Sequence, residues 1–332
     1  MNRNILFKTI TICSMVTAIF LMMPPYFSYA EPTTKKNAKG ERQSRSSSML
    51  NPATELYNQG LNYAEYNLFD EAIEMYKKSL MENPDNTKVY NSLGMAYIEK
   101  GMFNDAIQTF KKLIKKDPEN FAAFYNLGTA YFDTNNFENA IEAFQKTVQI
   151  NPEHRSAFSL LGIAYAKVGK YDQAIAILEK RLVLDPNLAL THLNLGLVYS
   201  MKGEDEKAVE AYQKTLEINP GHESALYNLG LFYEKAENID KAIFYYNKTV
   251  EINSSNANAQ YRLGKNYLKK KQYDEAMNAF QISAMSDPSN IEVYHDIGTV
   301  FQEQGNNEKA EDYFSLYKNR LNAKKKKSVQ FR

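Results

Sequence analysis

The chain is poor in the residues that bind metals or staple small folds. It has one cysteine, four histidines and no tryptophan in 332 residues. The lone Cys13 excludes a disulfide framework and any multi-cysteine metal site. His154, His192, His222 and His295 have no metal-ligand spacing, so no metal or cofactor is expected. Glycine (14) and proline (10) are also sparse, which argues against a turn-rich β sandwich. Neither sign of charge dominates, with 40 Lys+Arg against 39 Asp+Glu. The phosphate-cradling G-x-x-x-x-G-K-[ST], the dinucleotide G-x-G-x-x-G, the zinc H-E-x-x-H and the nucleophile G-x-S-x-G are all missing. A non-catalytic protein is expected. What remains is 44% apolar and rich in Ala, Glu, Lys and Tyr, enough for a sizeable helical core.

Residues 1–30 have the form of a secretory signal peptide. Arg3 and Lys8 precede an apolar stretch, and small residues at Ser28 and Ala30 mark a cut after Ala30. The rival reading is an uncleaved N-terminal membrane anchor, since the uncharged run from Thr9 to Ala30 is 22 residues long. The first reading places the protein in the periplasm or outside the cell, the second at a membrane. Residues 31–52 read as a disordered basic linker, with five basic and two acidic residues before Met49.

The rest of the chain is periodic. Gly60, Gly94, Gly128, Gly162, Gly196, Gly230, Gly264 and Gly298 are each 34 residues apart. An aromatic follows each by three, from Tyr63 to Phe301, and an alanine by twelve, from Ala72 to Ala310. Four residues beyond the alanine stands Tyr76, Phe110, Phe144, Leu178, Tyr212, Tyr246, Phe280 or Phe314. Pro84, Pro118, Pro152, Pro186, Pro220 and Pro288 close six of seven junctions, and Ser254 the other. Each period holds two amphipathic runs at helical spacing, such as Phe124, Leu127, Tyr131 and then Phe137, Ala140, Ile141, Phe144. Between them stands a residue suited to a left-handed helix end: Gly101, Gly169, Gly203, Gly305, Asn67 or Asn135. Glu237 and Lys271 take that place in two periods, so there the turn is either rebuilt or strained.

Phe124, Leu127-Gly128, Tyr131, Ala140, Phe144 and Pro152 resemble the helix-turn-helix signature of the tetratricopeptide repeat family. The resemblance spans eight units: 53–86, 87–120, 121–154, 155–188, 189–222, 223–256, 257–290 and 291–324. It implies an all-α, right-handed superhelix whose concave groove binds protein segments. A basic tail, 325–332, follows. His192 and Gln260 depart from the large apolar residue of the signature and Ser254 from its proline, so looser packing or a hinge is expected there.

In that family the first helix of each unit lines the groove. The residue two before each glycine is then an inner-face position: Asn58, Ser92, Asn126, Leu160, Asn194, Asn228, Arg262 and Asp296. Its neighbour adds Tyr57, Tyr125, Tyr227 and Tyr261. An amide offers both donor and acceptor, so an asparagine row can hold a peptide backbone, as in peptide-binding relatives. Arg262, Lys265 and Lys269 form part of a carboxylate-binding clamp, but its Lys-Asn start is replaced by leucine and tyrosine. Between the linker and Arg320 the repeats carry 27 basic and 37 acidic residues, about −10, which disfavours nucleic acid as a partner. The tail Lys324–Lys327 could touch an anionic surface. In the final unit Tyr313, Phe314, Leu316 and Tyr317 cover more than one stripe, which suggests a sticky end. The reading is a protein-binding scaffold for assembly of an envelope or secretion complex; the alternative is a self-associating oligomer stacked end to end.

Overall fold

A computed structural model describes residues 51–330. The signal-peptide or anchor reading and the linker up to residue 50 lie outside the described residues. Among the described residues there are sixteen α-helices and no strand, the all-α helical-repeat class. None of these helices is long and apolar enough to cross a membrane.

The helices fall into two compact units, up to Leu184 and from Asp185. Unit 1 pairs α1 (Pro52–Glu65) with α2 (Phe69–Glu82), α3 (Thr87–Glu99) with α4 (Phe103–Lys116), α5 (Phe121–Asp133) with α6 (Phe137–Ile150), and α7 (Arg155–Lys167) with α8 (Tyr171–Leu184). Unit 2 pairs α9 (Ala189–Lys202) with α10 (Asp205–Ile218), α11 (Glu223–Lys235) with α12 (Ile239–Ile252), α13 (Ala257–Lys269) with α14 (Tyr273–Ser286), and α15 (Glu292–Glu303) with α16 (Asn307–Gln330).

Each pair is held by the glycine and the large side chain that the period couples. A Cβ on Gly128 would lie 2.6 Å from the Phe144 ring, and one on Gly94 2.4 Å from Phe110. The missing side chain therefore lets the second helix drive an aromatic onto the backbone of the first. Phe110, Phe144, Tyr246 and Phe280 are fully buried this way. Each such burial is worth about 2–3 kcal/mol.

The turn between paired helices is the same eight times. The backbone N–H after the turn residue donates to the carbonyl of the periodic aromatic, as Met102 does to Tyr97 at 2.8 Å and Gln272 to Tyr267 at 2.9 Å. This is a Schellman closure, and it requires positive φ at the turn. Gly101, Gly169, Gly203 and Gly305 supply it freely. Asn67, Asn135, Glu237 and Lys271 adopt it with φ between 57° and 59°. The turns at Glu237 and Lys271 are thus not rebuilt; they carry the strain of a side chain in the left-handed region.

The junctions are equally uniform. Asn83, Asn151, Asn219 and Asp287 each accept from the backbone N–H two residues on, an Asx turn. Asn253 does the same without a following proline, taking the Ser255 N–H at 3.2 Å. The two polar departures from the signature are each compensated by a hydrogen bond. His192 Nε2 lies 2.9 Å from the Pro186 carbonyl, and Gln260 Nε2 donates to the Ser254 carbonyl at 3.2 Å. Both polar residues thus tie their helix to the junction six residues back, where the other units use apolar packing.

The end of the chain differs from expectation in two ways. α16 runs on to Gln330, beyond the end of the last unit, so residues 325–330 of the basic tail are helical. Leu321 to Gln330 contains no Gly or Pro, and lysines at a helix C-terminus oppose its dipole. The end is also capped rather than sticky. In α2, Ile73 and Leu80 join a cluster with Val89, Leu93 and Tyr97 of α3. The equivalent residues of α16 are Glu311 and Lys318, both exposed. Tyr313 stacks on Phe301, Tyr317 packs on His295, and a Cβ on Gly298 would meet Phe314 at 2.7 Å. The aromatics serve their own pair; only Leu316 is well exposed.

Candidate functional site

Neighbouring first helices touch, α1 with α3 and α3 with α5 in unit 1, α13 with α15 in unit 2. Their contacts bring together some of the residues singled out in the sequence. In unit 1 the Tyr57 hydroxyl lies 3.2 Å from Ser92 Oγ, and Asn126 Nδ2 donates to Asn91 Oδ1 at 2.9 Å. Asn58 is exposed, while Leu160 is buried. Tyr125 packs 4.5 Å from the His154 ring and 6.0 Å from Phe144.

In unit 2 the inner-face amides are more deeply set. Asn194 is 1% exposed, and neither of its amide atoms has a hydrogen-bond partner. Asn228 is 7% exposed; its Nδ2 donates to the Ser224 carbonyl at 2.8 Å, and its Oδ1 has no partner. Asn266 repeats the pattern, donating to the Arg262 carbonyl at 2.8 Å with Oδ1 unpartnered. A buried acceptor left unpaired is costly, which sets these oxygens apart from the paired amides of unit 1.

Arg262 is not a free cation. Its Nη1 donates to Glu234 Oε1 at 3.2 Å, and Glu234 Oε2 accepts from the Tyr246 hydroxyl at 2.7 Å. Burial works against the Arg262 charge, but Glu234, Tyr227 and Tyr246 outweigh it and raise its pKa. Burial pushes the Tyr227 phenol up, against the pull of Arg262. Tyr246 is pushed up by burial and by the Glu234 carboxylate. Tyr261 is raised by burial and then by Asp296. Lys265 sits 5.6 Å from the Tyr261 ring, and Lys269 is exposed. Only Lys265 and Lys269 of the clamp-like trio therefore lack a carboxylate partner here.

Sequence reading missed Glu234, Tyr246, Asn91, Asn266 and the capping role of His154. Glu234 had a signal: the same position holds Ile98, Phe132 and Leu268 in other units. An isolated acid at an apolar position, one unit before an isolated arginine at an amide position, marks a compensating pair. Among the described residues no cluster of His, Cys, Asp or Glu could hold a metal ion.

Three family models match the chain. They are tetratricopeptide repeat over residues 64–131, anaphase-promoting complex, cyclosome, subunit 3 over 99–181, and the cilia and flagella-associated protein 70 middle TPR-like domain over 158–311. With the eightfold helix-pair geometry, they show that the chain belongs to the tetratricopeptide repeat family. Among solved structures, the MamA protein is 32% identical, covering 51% of this chain and 92% of that one, with a TM-score of 0.48. A tetratricopeptide repeat protein from Parabacteroides merdae is 16% identical, covering 75% and 99%, with a TM-score of 0.60. The APC/C hetero-tetramer Cut9-Hcn1 is 22% identical, covering 76% and 50%, with a TM-score of 0.52. The last two share the fold. No curated protein matches the chain.

Proposed function

We propose that this protein is a non-catalytic scaffold that holds extended segments of protein partners along the first-helix faces of its units. The observation that carries the reading is the line of half-buried polar and aromatic side chains on those helices, Tyr57 with Ser92 in unit 1 and Tyr227 with Arg262 in unit 2. Hydroxyls and amides on that face can pair with a partner's backbone, and tyrosine rings add apolar area with a polar tip. One such bond contributes about 1 kcal/mol, so affinity comes from several rungs together. The acidic balance of the units keeps nucleic acid out of the reading. We place the scaffold outside the cytoplasm, or on a membrane, from residues 1–30, and assign it to assembly of envelope or secretion complexes. End-to-end self-association is not favoured, because Glu311 and Lys318 occupy the face a next repeat would cover.

The test is selection of random extended peptides on the immobilised full chain, followed by anisotropy titration of an enriched peptide. Asn228→Ala and Tyr227→Ala should each weaken it by about fivefold to tenfold, the value of one lost contact. Affinity that is indifferent to every first-helix substitution would remove the face from consideration.

A further inference from the structure

Four of the eight first helices, including those after Asn86, Asn120 and Asn256, start at an asparagine whose side chain caps them. Asn86, Asn120 and Asn256 each accept a backbone N–H with the side-chain oxygen, Asn120 from Ala123 at 2.9 Å. In the fourth pair the cap is His154, whose Nδ1 accepts the Ala157 N–H at 3.2 Å. An amide oxygen accepts at any pH, whereas an imidazole nitrogen accepts only while it carries no proton. The same ring lies 4.5 Å from Tyr125 and 5.9 Å from Phe121, both on α5. One side chain therefore both starts α7 and walls a tyrosine of the inner face.

We propose that His154 makes the first-helix face of unit 1 acid-labile: a proton on Nδ1 frees the start of α7 and unseats the Tyr125 ring. This regulates the face assigned above to partners and rests on that reading for its consequence. A protonated Nδ1 sets N–H against the Ala157 N–H. The ring must then turn away, leaving the Ala157 N–H with only its 3.1 Å bond to the His154 carbonyl and Tyr125 without the imidazole face it packs on. The groups against the ring are Phe121 and Tyr125 from α5 and Ala157 from α7. Glu153 and Arg155 flank it in the chain. Burial holds the imidazole below its usual range, partly opposed by its own backbone bond, and no charged side chain is among the causes. The folded state thus favours neutral His154. Its contribution is complete above the unfolded value of about 6.5 and is lost as pH falls below it. His222 holds the same position in unit 2, but its buried Nδ1 has no partner and it caps nothing.

The experiment follows amide exchange and labelled-tyrosine resonances in the full chain at pH 7.5 and 5.0, with exchange corrected for intrinsic rates. Tyr125 is assigned by Tyr125→Phe. Protection at the Ala157 N–H should fall by about threefold or more, on the order of what losing one of its two acceptors is worth. Ala123, capped by Asn120, should hold, and the Tyr125 signal should move with the His154 titration. His154→Asn, which keeps a cap, should abolish the difference. Parallel behaviour at Ala157 and Ala123, a Tyr125 signal that ignores the titration, or persistence of the effect in His154→Asn overturns the proposal. Neither readout uses a ligand, so a chain that binds no peptide still decides it.

Discussion

Glu234 and Arg262 pose a test of how charge is held inside a repeat array. The pair lies 3.2 Å apart, with side chains 13% and 33% exposed. At an effective dielectric of about 20, the attraction is about 5 kcal/mol. Most of that is offset by taking both ions out of water, so the net value of the pair is small. Removing one partner is another matter, and the two removals are unequal. Arg262→Asn strands a carboxylate with only the Tyr246 hydroxyl and should cost about 2–3 kcal/mol. Glu234→Leu strands a guanidinium that is one-third in solvent and still beside Tyr227, so its cost should be about 1 kcal/mol. The double variant installs residues that other units carry at both positions, and should return to within about 1 kcal/mol of the parent. An array of repeats does not unfold as one unit. The assay is therefore native-state hydrogen exchange in α11 and α13, which reads local opening free energies. Equal costs for the two single changes, or a double variant that costs their sum, would refute the reasoning.

Further outcomes follow from the same geometry. Gly128→Ala places a Cβ 2.6 Å from the Phe144 ring and should lower stability by about 1–3 kcal/mol, read as a shift of the thermal midpoint. Lys271→Gly and Glu237→Gly should each raise that midpoint, because they relieve about 1 kcal/mol of left-handed strain at φ 59° and 57°. Glu311→Ile with Lys318→Leu should turn the capped end into an adhesive one, seen as concentration-dependent mass in light scattering; a strictly monomeric double variant would remove the capping argument. Burial depresses the pKa of His222, whose own backbone bond and Glu223 only partly oppose it. Stability from its neutral form is complete above about pH 6.5 and fades below it, so His222→Asn should flatten that part of the pH profile of thermal melting.

Most of the fold was legible because it is written eight times. A glycine and an aromatic sixteen residues apart have one mechanical solution, the ring lying where a side chain is missing, and Gly128 with Phe144 realise it. The positions that depart from the period were harder, because a departure by itself does not say how it is compensated. His192 and Gln260 looked like losses of packing, yet each reaches a carbonyl six residues back. That carbonyl is invisible in a residue-type pattern. The aromatics of α16 looked like an open surface because sequence does not show that Tyr313 and Tyr317 turn toward α15. The comparison that does work is position by position across units, where Glu311 and Lys318 stand against Ile73 and Leu80.

The same comparison separates structure from recognition in the first helices. A polar residue that repeats and finds a partner, such as Ser283 Oγ donating to the Ala257 carbonyl at 2.9 Å, is accounted for by the packing of its own pair. Asn228 repeats the amide of Asn126, but only Asn126 reaches an amide of the preceding unit, Asn91. The corresponding position before Asn228 is Leu193, which has no acceptor or donor to offer. Asn91 serves as an acceptor for the Asn126 Nδ2; Asn228 turns the same Nδ2 to the Ser224 carbonyl at 2.8 Å instead, and its buried Oδ1 has no partner among the described residues. Leu193→Asn places an amide donor at the corresponding position of the preceding unit, where it can satisfy that buried oxygen. Stability should then rise, as measured by thermal melting. A fall in the midpoint would mean that the oxygen gains nothing from the added donor.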